Sequence, residues 1–465
     1  MKNGFVVSAL LLLAIGASFN FNINLYQPYF KDNEGESESA ERLQWELMRL
    51  SDPATGKIPF NMRELELSFS ATLPSDINGG VAGKMPLSWN FRGPWNVGGR
   101  TRALAIDVTN ESVMIAGSVS GGLWRTADGG LTWNRITGVN AYQGFNAIIQ
   151  DKRTGHTDTW YALTGEAYGT SASGGGAFYL GNGVYKSTDN GLTWASLPST
   201  VSGTPQSFDN IWDVTWGLAV NSADSVNDVV YASTYGAIFK SLNGGNNWSL
   251  ARGNSSGSSF SYFTDVAVTS TGVVYATLSS DGPQKGIWRS DNGTNWFNII
   301  PANFPIEYDR IKIGIDPNNE NVVYFFGVTP NAGKHTLVWG GEAWTSLWKY
   351  EYLSGNGQGT GGIWTDLSQN LPDNGTPFNN LTFQGGYDCY VKVKPGNSNV
   401  IFIGGTNIFR STSAFTDSVS TDVIGGYELG AALPFVNEYA GHHPDQHDLL
   451  FLPSNPDVMF SASDG

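Results

Sequence analysis

Ser187-Thr-Asp189-Asn-Gly191-Leu-Thr193-Trp194 is the stretch that decides the fold, because the chain writes it four times. The other copies are Thr126-Ala-Asp128-Gly-Gly130-Leu-Thr132-Trp133, Ser241-Leu-Asn243-Gly-Gly245-Asn-Asn247-Trp248 and Ser290-Asp291-Asn292-Gly293-Thr294-Asn295-Trp296. The third swaps Asn for Asp and for Thr, and the fourth is one residue short. A turn with Asp or Asn at this place accepts hydrogen bonds from turn N–H groups, and Gly takes the positive φ that other residues resist. The Trp that follows brings a large apolar surface back toward the next strand. Asp128, Trp133, Asp189, Trp194, Asn243, Trp248, Asn292 and Trp296 are thus read as structural turn residues.

Each turn sits inside a longer phrase of alternating apolar strands. Ala103–Asp107, Ser112–Gly117 and Gly122–Thr126 precede the first turn. Related phrases occupy 145–194, 211–248, 263–296 and 310–367, with others beginning at Asp388 and at His447. Period-two alternation broken by Gly, Pro, Asn and Asp argues for strands. Units of roughly 40–60 residues with four strands each match propeller blades. A parallel β-helix has shorter repeats and lacks this hairpin turn. The expected fold is therefore all-β: a β-propeller of seven four-stranded blades over 88–465, its last blade truncated at Asp464-Gly465, which reads as a piece of a longer reading frame. Strands near Trp89–Trp95 are the alternative source of the missing outer strands.

The remaining residues divide in two. Lys2 followed by the apolar run Phe5–Ala17 reads as a secretory signal peptide over 1–18, too short for a stable membrane span. Residues 19–87 form an acidic linker and a short helical segment, with Leu43, Leu47 and Leu50 at helical spacing, a break at Asp52–Pro59, and a second helix over Asn61–Phe69. A net charge of −15 excludes a nucleic-acid partner, which requires clustered Lys and Arg. The single cysteine, Cys389, lies in an apolar strand and reads as a buried hydrophobe.

The chain resembles the BNR/Asp-box β-propellers, a group with sialidase-like, sortilin-like and xyloglucanase-like members. It is similar in particular to secreted Bacteroidetes propeller proteins exported by type IX secretion. The resemblance rests on Gly93-Pro-Trp95-Asn-Val-Gly98-Gly99-Arg100-Thr-Arg102, on Asp52-Pro-Ala-Thr-Gly-Lys-Ile-Pro59, on Gly386-Tyr387-Asp388 and on His443-Pro-Asp445-Gln-His447. It implies a secreted or outer-surface location, and secretion machinery as a partner if a sorting domain follows residue 465. Sialidases of this fold carry an Arg-Ile-Pro motif. Here Arg135-Ile-Thr137 is found instead, so sialidase activity is not expected.

A glycoside hydrolase of the xyloglucanase type needs two carboxylates across a cleft, one protonated and one ionised. Glu166, Asp388 and Asp445 are the catalytic candidates, with Asp107 and Asp213 weighed beside them as turn caps. Glu166 precedes a long Gly/Ser loop of the kind that builds a rim. Three of the five histidines fall within Gly441–Asp448. In an extended strand, His443, Asp445 and His447 share one face; they could hold a divalent metal, form a hydrogen-bonded network lining the central channel, or tie adjacent blades together, and no cofactor is required. Arg100, Arg102, Tyr387, Asp388, His443, Asp445 and His447 form the expected ligand-binding set. Taken together, the sequence reads as an exported recognition module for an extracellular glycan or protein. The alternative is a glycoside hydrolase acting on an extracellular polysaccharide.

Overall fold

A computed structural model describes residues 99–465, apart from 139–140, 143, 167–178, 202–206, 257–258, 339–340 and 434–435, together with parts of 45–72. The signal peptide, the acidic linker, Gly93–Gly98 and the Gly/Ser loop after Glu166 lie outside the described residues. In the front unit, Met62–Thr72 is an α-helix, close to the stretch expected. Gly56 at φ +63° and an N–H bond from Ala54 to Asp52 Oδ1 (2.8 Å) form the turn before it.

Arg92–Gly465 is a separate compact unit. It is a β-propeller of antiparallel sheets that follow one another in chain order. Among the described residues, six sheets have at least four strands and the seventh has two, so six complete blades are seen there. The inner strands are Thr101–Ile106, Phe145–Gln150, Thr215–Val220, Thr264–Val268, Ile311–Ile315, Tyr390–Lys394 and Gln446–Leu452. Each packs on the next, and Gln446–Leu452 returns against Thr101–Ile106 to close the ring. Among the described residues, no helix is long and apolar enough to cross a membrane.

The repeated turns form as their residue types require. Asp128 accepts the Thr132 N–H (2.9 Å) and the Thr126 hydroxyl (2.7 Å), and Asp189 makes the same pair with Thr193 and Ser187. Asn243 and Asn292 substitute by accepting the N–H groups of Asn247 and Asn295 at 2.9 Å. Gly191 sits at φ +75°, where an added Cβ would lie 2.2 Å from Ile115 of the preceding blade. The turn is thus also an inter-blade contact. The Trp residues are half-buried and stand just before the outer strands. Blade 6 carries a worn copy that the sequence hides. The Ser411 hydroxyl accepts the Phe415 N–H (2.9 Å), with Phe415 buried at φ +56° where the other copies have Gly. Blade 5 departs further, since the hairpin Lys334–Val338 and Gly341–Tyr352 adds a fifth strand.

The core is divided into slabs between neighbouring blades. Ile115, Phe145 and Trp160 fill the space between blades 1 and 2, and Tyr161, Leu163, Val230 and Phe239 that between blades 2 and 3. The largest slab, with Phe326, Leu347, Ile403 and Phe409, joins blades 5 and 6 and includes buried Cys389. Among the described residues, no such apolar cluster joins blade 7 to blade 1. That seam is polar, and the candidate site lies on it.

Candidate functional site

Four inner strands carry the same irregularity near their start. The ladder skips one residue between Thr101 and Ala103, between Phe145 and Ala147, between Thr215 and Gly217, and between Gln446 and Asp448. A bulge of this kind re-aims the extra side chain. The residues displaced are Arg102, Asn146, Trp216 and His447, and all four line the mouth of a central channel of about 400 Å³.

At the closing seam these bulges assemble a charged network. Arg100 bonds Glu166 Oε2 at 2.8 Å and reaches Asp464 Oδ1 at 3.3 Å. Arg102 lies 3.4 Å from the second Glu166 oxygen, and donates to the Tyr387 carbonyl (3.0 Å) and to His447 Nδ1 (2.7 Å). Because Nδ1 accepts from a guanidinium, Nε2 carries the proton and donates it to Asp464 at 2.6 Å. The Tyr387 hydroxyl donates to the same carboxylate at 2.7 Å, and both arginines sit over the Tyr387 ring. Asp464 is therefore held by three donors. Glu166 is buried, and its backbone is fixed by a two-way bridge to Tyr179.

The environments drive the acids apart. Burial, with Asp464 alongside, pushes the Asp445 carboxyl up to about 7, its bond from Gln384 (2.5 Å) notwithstanding. Burial also acts on Asp464, but His447, Tyr387 and Arg100 outweigh it and hold that carboxyl below the usual range. Burial raises Glu166 against the opposing pull of Arg102 and Arg100. Burial and then Arg102 lower His447 to about 3, so the imidazole is neutral at physiological pH. Asp388 is fully buried, and neither of its oxygens has a hydrogen-bond partner among the described residues. Burial, reinforced by Asp445, raises its pKa well above the ordinary carboxylate value.

The expected residues thus fall into distinct environments. Arg100, Arg102, Tyr387, Glu166 and His447 meet at the seam, whereas Asp388 is closed off beneath it. His443, Asp445 and His447 do not converge as a ligand set: among the described residues the one cluster with metal-ligand spacing is elsewhere. Asp445 has φ +64°, so the segment is not extended and the alternation that would align the three side chains is broken. Both ring nitrogens of His447 are also already engaged. Asp107 caps its strand, accepting from Thr109, Gln150 and Asn190, and Asp213 accepts the N–H of Asn210 (2.9 Å) in a capping box. Sequence reasoning missed Asp464. Its signal was positional, since Ser461-Ala-Ser-Asp464 and Leu163-Thr-Gly-Glu166 both place an acid just beyond the second strand of a blade.

The cluster with metal-ligand spacing comprises Asp151, His156 and Asp228. Arg153 occupies its centre, at 2.6 Å from Asp151 and 2.5 Å from Asp228, and donates to the carbonyls of Asp224 and Asn227. A guanidinium supplies the positive charge there, and the knot ties blade 2 to blade 3.

No family model matches the chain. Among curated proteins it is similar to a xyloglucanase of Paenibacillus sp, 26% identical over 229 residues, which covers 44% of this chain and 22% of that protein. It is also similar to a xyloglucanase of Hypocrea jecorina, 25% identical over 283 residues, covering 57% of this chain and 28% of that protein. Among solved structures it is similar to the GH74 enzyme of Niastella koreensis, with 17% identity and a TM-score of 0.48, over 75% of this chain and 53% of that one. The chain spans about a quarter of the length of the curated relatives it matches.

Proposed function

We propose that the blade 7–blade 1 rim is a carbohydrate site that hydrolyses a glycosidic bond, with Asp445 as general acid and Asp464 as the ionised partner. The observation that carries this reading is the opposite displacement of two electrostatically coupled carboxyls at one rim, Asp445 up to about 7 and Asp464 downward. Glycosidic cleavage needs that division: one acid protonated near neutral pH to protonate the leaving oxygen, and one carboxylate to act as base or nucleophile. The three donors on Asp464 fix its orientation, and a fixed carboxylate is what attack on a sugar ring or activation of a water requires. Xyloglucan is the first substrate to test, because the curated relatives are xyloglucanases. An extracellular location belongs to the same proposal and rests on the apolar run Phe5–Ala17 behind Lys2.

The second reading is a rim that binds a glycan without cutting it. It is favoured by the ion pairs that Arg100 and Arg102 make with buried Glu166, which hold that part of the rim rigid. One experiment separates the two. The chain is incubated with soluble xyloglucan and a panel of β-glucans, and both reducing-end release and retention on the immobilised polymers are recorded. Release that disappears in Asp464→Asn supports hydrolysis. Retention without release supports the binding module, and neither refutes a carbohydrate role for the rim.

A further inference from the structure

Five aromatic side chains touch one another in an unbroken row that leads away from the channel mouth. The row starts at Trp216, the bulged residue of blade 3 that lines the mouth. Its ring stands 5.6 Å from that of Tyr262, and its indole N–H donates to the Tyr262 carbonyl at 2.8 Å. Tyr262 meets Tyr235 edge to face at 5.5 Å, and Tyr235 meets Phe208 in the same way at 5.5 Å and Phe260 at 5.1 Å. All five lie at the end of the ring where the inner strands begin, the end at which Arg102 and His447 also stand. The row opens outward: Trp216 is 4% exposed, Tyr262, Tyr235 and Phe260 are half-buried, and Phe208 is 51% exposed. The slab that joins blades 3 and 4, with Tyr231, Ile238, Val266 and Leu278, does not include these rings. Two exposed carboxylates border them. Asp209 follows Phe208 in the chain, and Asp281 accepts the Tyr262 N–H at 3.1 Å.

We infer that this row is the platform for the backbone of a neutral polysaccharide, which lies along it and crosses the channel mouth toward the acids at the blade 7–blade 1 seam, an inference that rests on the carbohydrate reading of that rim. A pyranose with equatorial substituents has flat C–H faces and a perimeter of hydroxyls. Aromatic rings take up such faces through dispersion and removal of apolar area from water, while their polar edges stay available. Each step of about 5.5 Å along the row is close to the span of one sugar ring, so successive sugars are read and affinity grows with chain length. A uronic or sulfated polymer brings its charge against Asp209 and Asp281, on a chain whose net charge is already −15, and is repelled. The acidic border thus selects an uncharged glycan.

The experiment reads retention separately from cleavage. The parent chain is run through native gels containing xyloglucan, mixed-linkage β-glucan or polygalacturonate, and reducing-end release is recorded in parallel. Retardation by the neutral glucans and none by polygalacturonate is expected. The dissociation constant for xyloglucan should rise at least about tenfold in Phe208→Ala and in Tyr235→Ala, whereas Tyr235→Phe, which keeps the ring, should stay within about twofold of the parent. Phe208 is exposed enough that its truncation leaves Tm unchanged, so weaker retention in that variant is not a loss of fold. Equal retardation of the parent, Phe208→Ala and Tyr235→Ala overturns the platform even where xyloglucan is cleaved. Retention that depends on these rings without any release upholds it and counts against the hydrolytic reading of the rim instead. Polygalacturonate held as tightly as the neutral glucans, or retention on no polymer at all, overturns the proposal.

Discussion

Replacing Asp445 by Asn should change the pH dependence of stability in one defined direction. In the unfolded chain this carboxyl titrates near 3.8, and in the folded rim near 7. Folding therefore favours the protonated acid. The contribution is fully present below pH 3.8 and is lost as pH rises through 7. The gap is about three decades of proton affinity, and each decade is worth about 1.4 kcal/mol, so the folded state gives up about 4 kcal/mol between pH 4 and pH 8. Asparagine has nothing to ionise and avoids that loss. Urea unfolding of parent and Asp445→Asn at half-unit steps across this window measures the difference, and other titrating groups largely cancel because both proteins share them. The stability of the variant relative to the parent should climb by about 4 kcal/mol from acid to alkaline pH, most steeply between 4 and 7. A difference that stays flat within about 0.5 kcal/mol would falsify the claim that this carboxyl is held protonated, and with it the assignment of an acid at the rim.

Other consequences concern the seam and the repeat. His447, lowered from 6.5 to about 3, favours the neutral form, so its contribution is present above pH 6.5 and is lost as pH falls toward 3, by up to about 5 kcal/mol. His447→Gln should remove that slope from acid-unfolding curves, and an unchanged slope would contradict the buried neutral imidazole. Gly191→Ala places a Cβ at φ +75° and 2.2 Å from Ile115; a loss of about 1–3 kcal/mol is expected by chemical denaturation, and a neutral result would show that the turn does not press on blade 1. Arg153→Met strips the counter-ion from buried Asp151 and from Asp228. It should cost about 3–5 kcal/mol, and restoration of stability by millimolar Ca²⁺ or Mn²⁺ would show that a cation can replace the guanidinium.

The fold was legible because each blade repeats a local device. Asp128, Asp189, Asn243 and Asn292 fix their turns with bonds reaching only a few residues along the chain, so a short window contains the whole mechanism. Blade 6 escaped because Phe415 holds a positive φ that sequence reasoning assigns to Gly; burial among the residues of the blade 5–6 slab sustains it there. The extra strand of blade 5 was unreadable for a different reason: its hairpin keeps the alternation of any other.

The rim was only half legible. Gly441–Asp448 is rich in titratable groups, and its chemistry was read from an assumed extended backbone that Asp445 does not adopt. What the ring assembles instead comes from four distant places, Arg100, Glu166, Tyr387 and Asp464, brought together by closure of blade 7 on blade 1. The bulges that turn Arg102 and His447 into the channel mouth leave no mark in composition or periodicity.

The most direct measurement is reducing-end release from xyloglucan by the parent chain and by Asp445→Asn, side by side from pH 4 to pH 9. Release by the parent should decline above about pH 7 as Asp445 loses its proton, and should fall at least about a hundredfold in the variant. Release undiminished in Asp445→Asn, or a parent profile indifferent to pH around 7, would contradict a rim acid at this position.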